Sequence, residues 1–494
     1  MNKSVFFWIV LVFLLSIATK ILFFNEFGTD DGDQADISLN ILQGKLALNF
    51  QGNYLDCNRY FFVHPPLYHV FLAIVYKFIG ATYLTSKFVS VFFALLLAVF
   101  VAIYCYRYLG ILIGVFITAL VLFDPLLFSF TYINRGDITA TFFFTLAALS
   151  FIEAGKNNSL KFMALSGLFS GVAMVSSYNC NWLLIAFSGY ALYSVLASGI
   201  RKNYKQIAVY LASLLIITLP WYGWVLLSNV RRQLFFSQLI GLTSSADGYS
   251  LAQIIRKLLN PLADLYLTFF RHHSFFAVIT LMVLSYFLFN LKKYIYPFLL
   301  LVASIVMMFF NQRAAHYYII IMPTCYILFG YMLKDLLSNK KLKLSLKRFL
   351  CIFFVFIICT ELVNVLFLVF KKSDIKLDSR YFSYVIKQNT QDGSRIATDP
   401  VFVLAEHENR HIVQAGLLIW KWFRKPYKNY DEVISKVVDA DYVVLTQRQK
   451  KWGELPIDQS LEFQKYLKER CTLLNVVEDK FHEPIWIYKS NHKI

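Results

Sequence analysis

Long apolar runs alternate with short polar segments along most of this chain. The first run, residues 4–24, lacks a small-x-small cleavage site and is expected to stay as a membrane anchor, not to be removed as a signal peptide. Similar runs recur up to residue 370, and many reach the roughly 17 to 25 residues that a bilayer-spanning helix requires. The pattern predicts about eleven spans, at residues 4–24, 87–106, 109–130, 138–151, 162–177, 181–197, 207–227, 275–291, 294–310, 316–332 and 349–370.

The apolar stretch 67–80 is short for a span. Its polar side chains, among them Tyr68 and Lys77, fall on one half of a helical wheel. This distribution is typical of a helix that lies in the membrane interface. With 67–80 counted as interfacial, two crossings separate the polar segments 25–66 and 134–137, which are therefore expected on the same face of the membrane.

The composition changes at Lys371 to that of a soluble domain. Short β-branched runs alternate with polar helical stretches in this part of the chain. The predicted strands are 395–398, 442–446 and 485–488, and the predicted helices are 381–389 and 431–438. The fold class is therefore an α-helical polytopic membrane domain, residues 1–370, followed by a small extracytoplasmic α/β domain, residues 371–494.

Composition and charge agree with a membrane protein. Of the 494 residues, 58% are hydrophobic and 16% are charged, against about 45–50% and about 25% in average soluble domains. The net charge of +18 does not indicate nucleic-acid binding, because much of it lies in short clusters between apolar runs, at 201–205, 292–293 and 340–348. The positive-inside rule places these clusters in the cytoplasm. The chain is thus expected in the plasma (inner) membrane with its N-terminus cytoplasmic and its C-terminal domain outside.

An acidic group lies within the first long polar segment, 25–66. Asp30, Asp31, Asp33 and Asp36 are close together in a basic protein. Neighbouring carboxylates repel one another and raise one another's pKa unless water or cations intervene. The segment is predicted to be an active-site loop.

Further polar clusters are expected on the same outer face. They contain His64, Arg135, Asp137, Arg313 and His316. An ionised acid can accept the proton of an attacking hydroxyl, while arginine and histidine can hold a phosphate leaving group. Sugar transfer from a lipid phosphate requires this combination.

The order of these motifs resembles the membrane glycosyltransferases of the GT-C superfamily. Asp30-Asp31-Gly32 is followed after a helical stretch by Gly44, then by His64-Pro65-Pro66-Leu67-Tyr68, then by Arg135-Gly136-Asp137. More narrowly, the pattern is similar to the protein O-mannosyltransferase and lipid A aminoarabinose transferase group. The family pattern begins with Asp-Glu, and the aspartate at position 31 leaves open whether Asp30 or Asp31 is the catalytic base.

The resemblance implies an inverting glycosyltransferase with a polyprenyl-phosphate sugar as donor and a glycan, lipid or protein hydroxyl as acceptor. It implies Asp30 as general base, with Asp31 as the alternative, and Asp137 as a second acid. The residues implied in phosphate and substrate binding are His64, Tyr68, Arg135, Arg313 and His316. It implies no cofactor; clustered aspartates could bind a divalent ion, but relatives with a monophosphate donor generally need none.

A transporter or flippase of lipid-linked glycans is the alternative function. Such a protein is expected to have internal repeats, or broken helices with ionisable residues near the membrane midplane. The ionisable residues of this chain are expected at span ends on one face, which favours the enzyme. The sugar and the acceptor stay open.

Overall fold

The computed structural model describes most of the helical region and parts of the C-terminal region. The described residues are 29–47, 60–62, 64–131, 133–198, 200–243, 275–310, 315–339, 343–373, 379–398, 402, 411–414, 440–446, 464–465, 467–478 and 484–491. The predicted span 4–24, the predicted helix 431–438 and Arg313 lie outside them, as do the side chains of Asp30 and His316.

Helices dominate the described part of the chain. They are α1 (Thr29–Leu42), α2 (Leu67–Ile79), α3 (Tyr83–Leu109), α4 (Ile111–Phe123), α5 (Pro125–Thr131), α6 (Asp137–Asn157), α7 (Leu160–Met174), α8 (Leu183–Ser198), α9 (Ile200–Leu226), α10 (Asn229–Thr243), α11 (Phe276–Phe289), α12 (Leu291–Phe310), α13 (Met322–Ser338), α14 (Leu344–Ser373) and α15 (Ser379–Asn389). Short 3-10 helices at Tyr178–Trp182 and Ala315–Ile320 precede α8 and α13. Each predicted span from residue 87 onward coincides with one of these helices or with a pair of them.

Fewer helices than predicted are long and apolar enough to cross a membrane. Within the described residues these are Tyr83–Leu109, Asp137–Asn157 and Tyr204–Leu226, and the pair α4 and α5 qualifies as one bent span. The predicted count of eleven spans is therefore not confirmed. Some of the other described helices are short, such as α7, which has 15 residues.

Two sequence predictions for the outer segments are wrong in detail. The segment 25–66 is predicted as a loop, but residues 29–42 form α1. The predicted span 109–130 is bent by 57° between α4 and α5. The break lies at Asp124, whose carboxylate caps α5, and Pro125 occupies the first position of α5, where a missing N–H does no harm.

Small residues allow α7 and α9 to pack closely. A Cβ on Gly167 would lie 2.3 Å from the carbonyl oxygen of Tyr210, and one on Gly171 would lie 3.0 Å from that of Leu214. The hydroxyl of Tyr210 also donates to Ser170 Oγ at 3.1 Å. This is the small-xxx-small packing expected of helices in lipid.

Polar contacts join helix ends on the side opposite the start of α6. Glu153, near the end of α6, accepts hydrogen bonds from Tyr104 and Asn157 at 3.3 and 3.1 Å. Asp335 on α13 accepts one from Lys293 at 2.6 Å. Asp137, the first residue of α6, therefore lies at the opposite end of the bundle from these contacts.

The C-terminal region contains a five-stranded mixed sheet in the order β2-β1-β3-β5-β4. The strands are β1 (Arg395–Thr398), β2 (His411–Gln414), β3 (Tyr442–Thr446), β4 (Cys471–Val477) and β5 (Ile485–Ser490). The pairs β1–β2 and β1–β3 are parallel, and β3–β5 and β4–β5 are antiparallel. The predicted strands coincide with β1, β3 and β5, and the predicted helix 381–389 coincides with α15. The division at residue 370 stays a prediction, and α14 runs past it to Ser373.

Candidate active site

Asp31 near the start of α1 contacts the turn that leads into α6. The backbone N–H of Asn134 donates to Asp31 Oδ1, and the Asn134 side-chain amide donates to the Asp31 carbonyl oxygen at 3.0 Å. Asp31 is 2% exposed and Asn134 is fully buried. The first acidic segment and the Arg135-Gly136-Asp137 motif therefore meet, as the sequence predicts.

Tyr68 on α2 joins the same contact. Its hydroxyl donates to Asn134 Oδ1 and lies 2.9 Å from Ser90 Oγ on α3. Burial raises the pKa of Tyr68 well above its ordinary value, so the phenol keeps its proton and stays a hydrogen-bond donor. Tyr68 thereby links α2 to α3 and to the turn before α6.

Arg135 and Asp137 form an ion pair within this turn. Arg135 Nε lies 2.8 Å from Asp137 Oδ2, and the two side chains are 12% and 9% exposed. Asp137 is also the first residue of α6, where the helix dipole favours a negative charge. The pair fixes the plane of the guanidinium group, and a planar guanidinium suits bidentate phosphate binding.

Gly136, between the two charged residues, is packed against its neighbours. A Cβ at this position would lie 2.9 Å from the carbonyl oxygen of Ser176 and 3.1 Å from the Cβ of Tyr68. The backbone itself is unstrained, with φ of −67°. A glycine is therefore required here because a side chain would have no room, and not because of the backbone conformation.

His64 lies next to a second histidine that the sequence analysis did not select. The rings of half-buried His64 and fully buried His69 are 6.2 Å apart, measured between centroids. Burial, and then the proximity of His64, lowers the pKa of His69 to about 3, so His69 is neutral. One sequence signal could have identified His69. It follows Tyr68 directly and lies on the same half of the helical wheel of α2.

Lys87 is another residue that sequence reasoning missed. It is 1% exposed on α3, one helical turn before Ser90. A lysine inside an apolar run is costly to bury, and it marks a functional site more often than a surface lysine does. The sequence analysis treated it only as the first residue of a span.

The structure describes the remaining candidate residues to different extents. His316 belongs to the 3-10 helix Ala315–Ile320, which packs against α5 and α6. Asp36 is buried, and Asn40 Nδ2 lies 3.5 Å from its Oδ1. Among the described residues, no group of three or more His, Cys, Asp or Glu side chains is arranged to hold a metal ion.

The assembled groups suit transfer of a group from a phosphate leaving group to a hydroxyl. Carboxylates from α1 and α6 lie in a cluster that also contains the Arg135 guanidinium group. His64 lies three residues before α2, and Lys87 lies on α3. A carboxylate can take a proton from a hydroxyl, and the cations can stabilise a departing phosphate.

Comparisons with known proteins find a match to one family model and to several solved structures. Residues 63–224 match the family model described as dolichyl-phosphate-mannose-protein mannosyltransferase. This range contains His64, Tyr68, Arg135 and Asp137 and begins after the acidic residues of α1. No curated protein matches the chain.

Solved structures with the same fold include two of ArnT from Cupriavidus metallidurans. The apo form aligns with a TM-score of 0.62 at 12% identity over 98% of each chain. The form bound to undecaprenyl phosphate gives 0.59 at 14% identity over 97% of this chain and 98% of ArnT. The archaeal oligosaccharyltransferase AglB from Archaeoglobus fulgidus, in complex with an inhibitory peptide and a dolichol-phosphate, gives 0.55 at 12% identity over 99% of this chain and 74% of AglB. The resemblance is confirmed for the fold, and the likeness of fold extends over nearly the whole chain.

Proposed function

We propose that this chain is an inverting glycosyltransferase that moves a sugar from a polyprenyl-phosphate donor to a hydroxyl on the outer face of the membrane. The observation that carries the proposal is the contact of Asp31 with Asn134, which brings the acidic segment to the Arg135–Asp137 ion pair. The family match and the lipid phosphates bound to ArnT and AglB support the donor class.

In the proposed reaction Asp30 takes the proton of the acceptor hydroxyl. The hydroxyl oxygen attacks the anomeric carbon from the side opposite the phosphate, and the bond from that carbon to the phosphate oxygen breaks. The phosphate leaves with the bonding electron pair. One base is enough for this direct displacement, whereas retaining enzymes commonly need two close carboxyl groups.

The remaining site residues are assigned to positioning and charge. Asp31 accepts the Asn134 N–H and holds the two segments together, so the base role falls to Asp30. Asp137 orients Arg135 through their ion pair. The proposed phosphate contacts are Arg135, His64, Arg313 and His316, with Tyr68 supporting the turn.

No metal ion is assigned to this reaction. The donor carries a single phosphate group, whose charge cationic side chains can balance. The chain is placed in the plasma (inner) membrane with its C-terminal region outside, and the acceptor is a glycan, a lipid or a protein.

Lipid-phosphate recognition can be measured by native mass spectrometry of the purified full chain. The probe is undecaprenyl phosphate, and the matched control ligand is undecaprenol, which lacks the phosphate. Undecaprenyl phosphate should bind at least about tenfold more tightly, and Arg135→Gln should remove most of that preference, since a charge-assisted hydrogen bond contributes about 1.5–3 kcal/mol. Equal binding of both lipids by the unmodified chain would contradict the proposal.

A further inference from the structure

Two carboxyl groups are buried inside the helical domain where α4 meets α5. Asp124 is fully buried at the break between these helices, and Glu361 on α14 is 1% exposed. Helix α14 packs against both α4 and α5. One turn after Glu361, Val365 belongs to a buried apolar cluster with Phe123 and Phe128. The expectation that ionisable residues lie only at span ends is wrong for this pair.

The surroundings of Asp124 stabilise its negative charge. Its Oδ1 accepts the backbone N–H groups of Leu126 and Leu127, each at 2.9 Å. Its Oδ2 accepts the hydroxyl of Tyr326 on α13 at 2.7 Å.

Glu361 has much less support for a negative charge. Its Oε1 accepts the backbone N–H of Phe275, just before α11, at 2.9 Å. Its Oε2 is buried and has no hydrogen-bond partner within the described part of the chain. The negative charge of Asp124 acts on it in addition. An unpaired carboxylate in an apolar interior is strongly unfavourable, and two nearby carboxylates do not both stay ionised there.

We propose that Glu361 holds a proton within the membrane domain and that Glu361 and Asp124 together position α5. This helix ends at Thr131, three residues before Asn134, so its placement sets the turn that contains Arg135 and Asp137. Glu361 is a positioning residue in this account and does not touch the substrate. The link to turnover rests on the proposed function, whereas the protonation of Glu361 does not.

Carbodiimides of different polarity test the protonation in membranes that contain the full chain. A hydrophobic carbodiimide such as dicyclohexylcarbodiimide adds to a protonated carboxyl group, and the adduct rearranges to a stable N-acylurea that contains all atoms of both reactants. Mass spectrometry at about pH 7 should find this adduct on Glu361 and not on Asp124. A water-soluble carbodiimide should not label Glu361. Labelling of Asp124 in place of Glu361 would contradict the assignment.

Replacement of Glu361 gives a second, independent test. Glu361→Gln keeps a neutral side chain of the same shape and an oxygen for the Phe275 N–H. As the pH rises above about 4.3, the ordinary pKa of a glutamate, the unfolding equilibrium of the unmodified chain should shift toward unfolding by up to about tenfold per pH unit relative to Glu361→Gln, because only the glutamate must keep a proton to stay folded. Within the described part of the chain, the groups that act on Glu361 in this comparison are Asp124, whose charge Tyr326 supports, and the Phe275 amide. Identical pH dependence of the two chains, with Glu361 unlabelled, would overturn the proposal.

Sugar transfer tests the positioning role. Glu361→Leu should lower transfer at least about tenfold, and Glu361→Gln should restore it to within about twofold of the unmodified chain, while both still bind undecaprenyl phosphate. Full transfer by Glu361→Leu would remove the positioning role and leave the protonation intact. Absence of transfer by the unmodified chain would instead refute the proposed function, and the labelling result would still stand.

Discussion

Asn134 connects the two acidic segments of the site at the level of single residues. Its backbone and side-chain amides donate to Asp31, and its Oδ1 accepts from Tyr68. The Asp31 carboxylate and the Asp31 backbone carbonyl both accept from Asn134, which gives Asp31 a positioning task. The proposal therefore assigns the base role to Asp30, its neighbour in α1.

Gly136 provides a steric test of this arrangement. In Gly136→Ala the new Cβ would lie 2.9 Å from Ser176 O, so the turn must shift away from Tyr68. Misplacement of catalytic groups by a fraction of an ångström is expensive, and turnover is expected to fall at least about tenfold. The measurement is transfer activity at equal amounts of folded protein.

Gly223→Ala is the matched control for Gly136→Ala. This glycine lies in α9, and a Cβ there meets nothing within 4 Å. Alanine also favours a helix over glycine, so this variant should keep full activity. Equal activity of the two alanine variants would show that the packing at Gly136 does not hold the site together.

His69 predicts a pH dependence of stability. The pKa of His69 is about 3 in the folded protein, against 6.5 for an ordinary histidine. Protonation of His69 therefore favours the unfolded state. The stabilisation is complete above about pH 6.5 and falls by up to about 1.4 kcal/mol per pH unit as the pH drops below that. Thermal unfolding of the purified chain between about pH 7.5 and about pH 5.5 measures it.

His69→Gln separates this effect from other acid-dependent changes. Glutamine does not titrate in this range, so the variant should lose less stability than the unmodified chain on acidification. If both chains lose the same stability, His69 does not carry the pH dependence.

Sequence reasoning identified His64, Tyr68, Arg135 and Asp137 because they belong to short motifs. It missed Asn134, although it lies next to Arg135, because its partner Asp31 is 103 positions away. A single sequence does not indicate which of many asparagines makes a contact over that distance. Lys87 was missed because it was treated as the edge of an apolar run.

At the scale of elements, the position of α2 determines whether the site segments lie on the same face of the membrane. It has 13 residues and is about 20 Å long, shorter than the roughly 30 Å hydrocarbon core. Its buried and exposed residues also lie on different faces, with Tyr68, Leu72 and Tyr76 buried and Phe78 exposed. Both properties favour the predicted interfacial position.

Reporter fusions measure the topology that follows from this position. Reporters placed after Gly80 and after Asp137 should both report the outer side, and one placed after Arg107 should report the cytoplasm. A cytoplasmic signal at Asp137 would mean that α2 crosses the membrane.

The elements that sequence reasoning got wrong share a physical cause. The acids of residues 30–36 suggested an active-site loop, but they lie in α1, where Asp31 and Asp36 are buried. The bend at Asp124 lies inside a nearly continuous apolar run, so hydropathy alone did not reveal it. Tertiary contacts decided both cases.

At the scale of the whole molecule, the sequence motifs identified the GT-C resemblance, and the fold agrees over nearly the full length of the chain. The strand segments β1, β3 and β5 were predictable from β-branched runs. Their order in the sheet was not, because it depends on pairing between distant segments such as Tyr442 with Lys489. The sugar and acceptor depend on side chains spread over many loops, which no local motif specifies.

The central claim is sugar transfer with Asp30 as base, and glycan mass spectrometry tests it most directly. Cells that lack the protein are supplied with the unmodified chain, with Asp30→Asn, or with Asp33→Asn as a matched control from the same helix. The account predicts that a mass increment of one sugar on a glycan, lipid or protein appears with the unmodified chain and with Asp33→Asn. It should be absent with Asp30→Asn, because loss of a general base costs about 10²–10⁴-fold in rate. The same increment with Asp30→Asn at equal membrane expression, or no increment with the unmodified chain, would contradict the account.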